Sequence, residues 1–467
     1  PDTDRDGIPD KQDLDSDGDG MTDTQEVGSN VNTPKDTDGV TLDVAGRWTN
    51  DRGVANPGRD AAGNPSDAVV KAGGSVSLSA AAIQLGDDVG IDVSAGAWLH
   101  ATGGVDKGTA GSIAMVVKPL DSTVQGMNLA TLGWGSDLRL SGYGFGSGGT
   151  LKLVGRDVAL GDVPVAQQSA GDLVLSPAFF QQGGFTSYDI GANRDLTVAA
   201  GTSLRPMASQ RVLDNDAERT RSGRLTEATH EQWSPLAGPG LVRQSTNLTL
   251  RASVSPPPPD GSAAAGRLRV LDGASVLLDP GASLNLRSAG QLEVYGSLNA
   301  PGGRIALGLT PFSNDTTLHN LWLGPAASLR ADGSDARLYT NGLGVSSGEL
   351  LGGGSITLGG STDKAADGSS VLNPASAYVV MQPGATLSAG GVSAFGLTFQ
   401  SGSGTTTVDR LTSAGGSIDI RSSLGMELYG SFLGGAGVGA SAGSLAVALE
   451  GNTDAVLNVV KSGAPVG

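Results

Sequence analysis

Five times along this chain a glycine pair opens a short alternation of apolar and polar residues. The copies are Gly73-Gly74-Ser75-Val76-Ser77-Leu78, Gly148-Gly149-Thr150-Leu151-Lys152-Leu153, Gly302-Gly303-Arg304-Ile305-Ala306-Leu307, Gly353-Gly354-Ser355-Ile356-Thr357-Leu358 and Gly415-Gly416-Ser417-Ile418-Asp419-Ile420. A period of two puts every second side chain on one face of a β-strand. A second phrase, a small-residue corner running into leucine, recurs at Pro280-Gly281-Ala282-Ser283-Leu284, Pro325-Ala326-Ala327-Ser328-Leu329 and Pro383-Gly384-Ala385-Thr386-Leu387. From Arg267 to Leu307 the apolar pairs follow one another about every eight residues, divided by Gly, Pro, Asp, Asn or Ser. These separators supply positive φ or a fixed φ, as turns require. A hairpin meander gives the same spacing, but degenerate phrases recurring far apart mark a solenoid. Each coil of a solenoid buries its apolar face only by stacking on its neighbours. With about 20–25 residues per coil, residues 66–460 hold roughly 15 coils, a rod roughly 70 Å long.

Composition agrees with thin stacked layers. Of 467 residues 74 are glycine, and aromatics make up 4%, so large rings do not build the core. Cysteine is absent, which excludes disulfides, thiolate metal sites and cysteine nucleophiles. The net charge of −17 is uneven: residues 1–43 hold 13 Asp/Glu against 3 Lys/Arg. An acidic chain without basic patches argues against nucleic acid and anionic membranes as partners. No run of about 20 apolar residues exists, so membrane insertion is not expected. No signal peptide is visible, and the opening at Pro1-Asp2-Thr3-Asp4 falls in mid-motif, as in a fragment of something longer.

That motif is the chain's clearest chemistry. Asp15, Asp17, Asp19, Met21, Asp23 and Glu26 fall at positions 1, 3, 5, 7, 9 and 12 of D-x-D-x-D-G-x-x-D-x-x-E, with Gly20 at position 6. Carboxylates at this spacing wrap one hard cation, the Met21 carbonyl adds a ligand, and Glu26 binds bidentately. Asp2, Asp4, Asp6, Ile8, Asp10 and Asp13 form a copy 13 residues earlier, and Asp36 and Asp38 start a partial third. Calcium is the expected metal, because magnesium prefers few protein ligands and retained water. A disordered acidic linker is the plainer alternative. The tandem spacing resembles thrombospondin type 3 repeats, and the resemblance implies a stiff, calcium-built spacer.

Beyond the acidic segment, Gly46-Arg47-Trp48-Thr49-Asn50-Asp51, the phrase at Gly73–Leu78 and Ile91-Asp92-Val93-Ser94-Ala95-Gly96-Ala97 resemble large exoproteins of the filamentous haemagglutinin type. So does the run from Asp279 to Gly303. The resemblance covers most of residues 45–450. It implies an all-β fold, a right-handed parallel β-helix, with two-partner secretion through an outer-membrane transporter. It further implies a place at the bacterial cell surface or in the medium, and adhesion to a receptor or glycan on a host or neighbouring cell.

The expected organisation is an acidic repeat segment at 1–43, a linker at 44–65, β-helix at 66–204, an insertion at 205–266 and β-helix again at 267–467. The insertion is inferred from its lost alternation, its mixed charge and the run Pro256–Pro259, which cannot sit inside a sheet. It is an excursion, packed across the side of the rod or mobile, and either a recognition loop or a tolerated insertion.

Catalytic signals are weak. His100, His230 and His319 have no metal spacing and read as satisfied surface residues. Asp87, Asp88, Asp92 and Asp106, or Asp332 and Asp335, are the carboxylates that a polysaccharide-cleaving β-helix would bring together, although Asp is equally expected at turns. Trp98, Trp134, Trp322, Tyr339, Tyr378 and Tyr429 could stack on sugars if exposed in line, or simply cover coil edges. The reading is therefore a non-enzymatic adhesin or filament segment. A carbohydrate-cleaving enzyme and the stalk of a contact-dependent toxin-delivery protein are its rivals.

Overall fold

The computed structural model describes residues 40–52, 69–119, 130–164, 168, 171–253, 266–309, 319–364, 370–374, 377–401 and 404–449. The acidic repeats and the four-proline run lie outside these residues.

The chain folds as a parallel β-helix. Its longest face is a ten-stranded sheet made, in order, of Ser75–Ala80, Ser112–Val117, Thr150–Gly155, Ser187–Ala192, Asn247–Ala252, Ser283–Ser288, Arg304–Leu309, Ser355–Leu358, Ser417–Ser422 and Ser444–Leu449. Every neighbouring pair in it is parallel. A second face has eight strands, running from Leu173–Leu175 and Val158–Leu160 through Leu196–Val198 to Gly425–Leu428. A third has six, from Ser203–Leu204 to Ser431–Leu433. From residue 187 onward each coil visits the long, second and third faces in turn.

Register is in phase, so like residues stack. Leu284, Ile305, Ile356 and Ile418 lie in one inward row of the long sheet, with Leu286, Leu307, Leu358 and Ile420 in the next. On the third face Val276, Leu298, Leu329 and Leu387 are all fully buried. Each such side chain contributes roughly 1.5–3 kcal/mol by leaving water. One continuous apolar cluster runs from Ile83 to Ile420. It opens at both ends: Val76 is only partly buried and Leu445 is 51% exposed.

The glycine pairs all stand at the entrance to the long sheet, where successive coils come closest. A Cβ on Gly354 would sit against the Gly303 carbonyl oxygen, and one on Gly416 against that of Gly354. No side chain fits there. The second phrase is a β-turn. Ala282 N–H bonds to Asp279 O at 3.1 Å, Ala327 N–H to Gly324 O at 3.0 Å and Ala385 N–H to Gln382 O at 3.2 Å. Proline occupies the second turn position, and Gly384 at the third has φ +97°. This turn serves two different corners: Ala282 leads into the long sheet, Ala327 and Ala385 into the third face.

Among the described residues the long sheet has ten strands, against the roughly 15 coils that spacing predicts for residues 66–460. Ten strands span about 43 Å at the usual interstrand distance. Coils begin as little as 21 residues apart (Ser283 to Arg304) and as much as 62 (Ser355 to Ser417). Antiparallel hairpins take up the difference. Ser334–Thr340 pairs with Ser346–Leu351, Gly360–Lys364 with Ser370–Pro374, and Ser393–Ser401 with Gly404–Thr412.

Near its start the rod is wider. Thr41–Asp43, Gly90–Asp92 and Arg139–Ser141 form one extra parallel sheet, and Arg47–Asn50 pairs parallel with Ala97–Leu99 in another. The span from 205 to 246 packs across this end. Gln210–Leu213 pairs antiparallel with Thr229–Gln232, and Gly223–Arg224 pairs antiparallel with Arg47–Asn50. Ala217, Leu225 and Ala228 join Trp48, Ala95, Ala97, Leu99 and Phe145 in a small second core. Among the described residues no helix is long and apolar enough to cross a membrane.

Candidate functional site

The second face is split. Ile83–Leu85 and Leu132–Trp134 pair as a separate two-stranded sheet, while Leu173–Leu175 begins the eight-stranded one. No ladder joins Leu132–Trp134 to Leu173–Leu175. The cause is local. After Val158–Leu160 the chain doubles back, and Leu173–Leu175 stacks on the side of that strand away from Leu196–Val198. Pro177 then starts a 3-10 turn, Pro177–Gln181, where its fixed φ suits the first position and no ladder donor is lost.

The two phenylalanines of this turn meet edge to face at 5.6 Å but are buried to different degrees. Phe180 is fully buried and meets Tyr188 at 5.1 Å, and Tyr188 meets Phe185 at 6.1 Å. Rings thus fill the core where the aliphatic rows are interrupted. Burial pushes the Tyr188 hydroxyl pKa far up, and the hydroxyl donates to Gln182 O at 3.3 Å. Phe179 faces the split and stacks on Trp134, with centroids 6.1 Å apart and planes 15° from parallel.

A hollow lies on each side of this ring pair. One, of about 640 Å³, is lined by Trp134, Asp162, Pro164, Gln168, Ser176 and Phe179 among others. The other, of about 430 Å³, has Trp134, Asp137, Arg139, Phe179, Gln182 and Phe185 in its walls. Both are shallow and open to solvent. Asp137 has φ +58°, matching Asp88 at +56° one coil earlier, so the turn there repeats. Arg139 is engaged with Asp88 at 3.2 Å, and Asp87 accepts from Ser136 N–H at 2.7 Å. Asp137 and Asp162 have no ion-pair partner among the described residues, so the groove carries net negative charge.

The proposed calcium ligands, Asp2 to Glu26 with Asp36 and Asp38, lie outside the described residues. Of the other candidate carboxylates, Asp335 is exposed on a hairpin arm, and Asp87, Asp88, Asp92, Asp106 and Asp332 each have a partner of their own. Asp92 accepts from Ser94 N–H at 2.8 Å. Asp106 pairs with Lys71 at 3.0 Å and His100 at 3.4 Å, and the hydrogen bond from Lys71 holds its pKa below the usual carboxylate range. Asp332 takes hydrogen bonds from Gly390 N–H at 2.7 Å and Arg330 Nε at 3.0 Å. Among the described residues no three His, Asp or Glu side chains cluster as metal ligands. His230 pairs with Asp214, and His319 is buried against Gly290 O at 3.2 Å.

Of the aromatic residues singled out in the sequence, Trp134 has both a ring partner and a hollow. Trp98 lies elsewhere, donating to Asp51 at 2.9 Å with its ring 3.8 Å from His100. Trp322 and Tyr378 share the second face on neighbouring coils, and Tyr339 is on a hairpin. Phe179 escaped the sequence reading. Its signal was Pro177-Ala178-Phe179-Phe180, two rings behind a proline in a chain with eight phenylalanines. No family model, curated protein or solved structure matches the chain.

Proposed function

We propose that the chain is a non-enzymatic segment of a bacterial secreted or cell-surface protein, a shaft that holds binding surfaces away from the cell. One observation supports this above the others: a single apolar core runs from Ile83 to Ile420 through in-phase coils. Such a rod resists bending because each coil is packed on both sides. Its corners carry the hairpins and the strap at 205–246, and its split face carries the aromatic groove. In this reading residues 1–43 are a calcium-stiffened spacer, and an outer-membrane transporter exports the whole. The partner is a receptor or glycan on a host or neighbouring cell.

The test is adhesion of beads coated with the full chain to cultured cells and to bacteria, beside incubation of the same protein with a panel of polysaccharides. Retention of the beads under flow without new reducing ends supports the shaft. Release of reducing ends would instead make the protein a carbohydrate-cleaving enzyme.

A further inference from the structure

We infer that the split between Leu132–Trp134 and Leu173–Leu175 is a binding groove for a neutral oligosaccharide. The assignment rests on the display reading above and names the ligand class of one displayed surface. Elsewhere from the third coil on, the second face is a continuous ladder. At the split the ladder stops, and a proline-started turn, Pro177–Gln181, follows Leu173–Leu175 there. Phe180, Phe185 and Tyr188 fill the core beneath it, so the groove has a firm floor. Its walls combine the two features sugars need. Trp134 and Phe179 give flat apolar faces for the C–H side of a pyranose ring. Asp137, Asp162, Gln168 and Gln182 give acceptors and donors for paired hydroxyls on both sides of those rings.

Charge selects among sugars. Arg139 is already paired with Asp88, while Asp137 and Asp162 are not neutralised. A uronate or sialate would meet like charge, whereas a neutral chain would not. An extended peptide is less well served. Peptide strands draw affinity from a run of main-chain bonds, and the two strand edges at the split are three residues long each.

The experiment uses the full chain on an array of neutral glycans, acidic glycans and peptides, followed by calorimetric titration of the best neutral oligosaccharide. Trp134→Ala should weaken that binding roughly tenfold or more, and Gln182→Ala, at an exposed site, several-fold. Asp137→Lys should raise the share of acidic glycans bound. Neutral-glycan binding that is unchanged in both Trp134→Ala and Gln182→Ala overturns the proposal. So does an array on which only acidic glycans or peptides bind. Should Trp134→Ala fail to fold, by circular dichroism, Gln182→Ala decides alone. Absence of glycan binding by a protein whose beads still adhere refutes the groove and leaves the shaft standing. Loss of both refutes both.

Discussion

The indole Nε1 of Trp48 donates to the carbonyl oxygen of Thr220, 3.1 Å away and 172 residues later in the chain. Asn50 reinforces the join, its Nδ2 reaching Glu218 O at 2.9 Å and Thr220 O at 2.8 Å, and Arg52 pairs with Glu218. The strap at 205–246 is therefore pinned to the start of the rod. Trp48→Ala should cost about 3–5 kcal/mol by emptying a fully buried site. Trp48→Phe, which keeps most of the bulk, should cost about 1–3 kcal/mol. Limited proteolysis should then cut between residues 214 and 228 in Trp48→Ala well before the long sheet is touched. Simultaneous loss of strap and rod would show that they do not melt separately.

Gly354→Ala tests the close approach at the coil entrance. The new methyl would meet the Gly303 carbonyl, which is backbone and cannot swing aside. Thermal unfolding should show destabilisation of about 2–4 kcal/mol. Gly342→Ala, in open space, should lie within about 0.5 kcal/mol of wild type.

Arg243 grips Asp279 with two hydrogen bonds, at 2.7 and 2.9 Å, and Asp279 is 3% exposed. The pair ties the strap to the coil that begins at Ser283. Arg243→Met leaves a buried carboxylate alone and should destabilise by about 3–5 kcal/mol. Adding Asp279→Leu should recover much of that loss, which a denaturant double-mutant cycle would read.

Alkaline pH should weaken the fold through two tyrosines. Burial first, then the nearby Glu231 carboxylate, pushes Tyr143 up to about 12, and burial raises Tyr188 further. Below pH 10 both are protonated in folded and unfolded chains, so their contribution is fully present. Between about 10 and about 12 the unfolded chain loses those protons first, and stability falls as pH rises. Absorbance titration at alkaline pH should show three of the six tyrosines, Tyr143, Tyr188 and Tyr295, ionising late, and Tyr188→Phe should flatten the decline in unfolding midpoint.

Calcium added to the full chain should bind at residues 1–43 by calorimetry, and Asp17→Ala with Asp19→Ala should remove binding at that copy. Chelation should leave the β signal of the rod intact, because its core is built of apolar side chains. A β signal that collapses with chelator would place the metal elsewhere.

How much of this was legible depended on whether a residue's role is set by its own coil. All five glycine pairs open strands of the long sheet, as the sequence implied, because in each pair at least one glycine meets a neighbouring backbone too closely for a side chain. The proline corner was legible as a turn but not as a position, since the same turn chemistry leads Ala282 into one face and Ala385 into another. Arg337–Tyr339 and Leu397–Phe399 read as coil strands and are hairpin arms. Alternation reports a half-buried strand and says nothing of the direction of its neighbour. The split at Trp134 was hidden for a like reason. The same apolar alternation occurs at both Val158–Leu160 and Leu173–Leu175, and only the fold shows that the second stacks backwards on the first.

The turn between the second and third faces is always two or four residues, as at Tyr295-Gly296 or Gln382–Ala385. The strap and the hairpins at 334–351 and 393–412 all leave from the corner between the third face and the long sheet. The arm at 360–374 leaves from the corner after the long sheet. Their two ends are already clamped together by neighbouring coils, so lengthening an arm adds little closure entropy and shifts no register. The molecule is in this sense a chassis with standard mounting points. Its fittings can be exchanged, enlarged or removed while the frame keeps its dimensions.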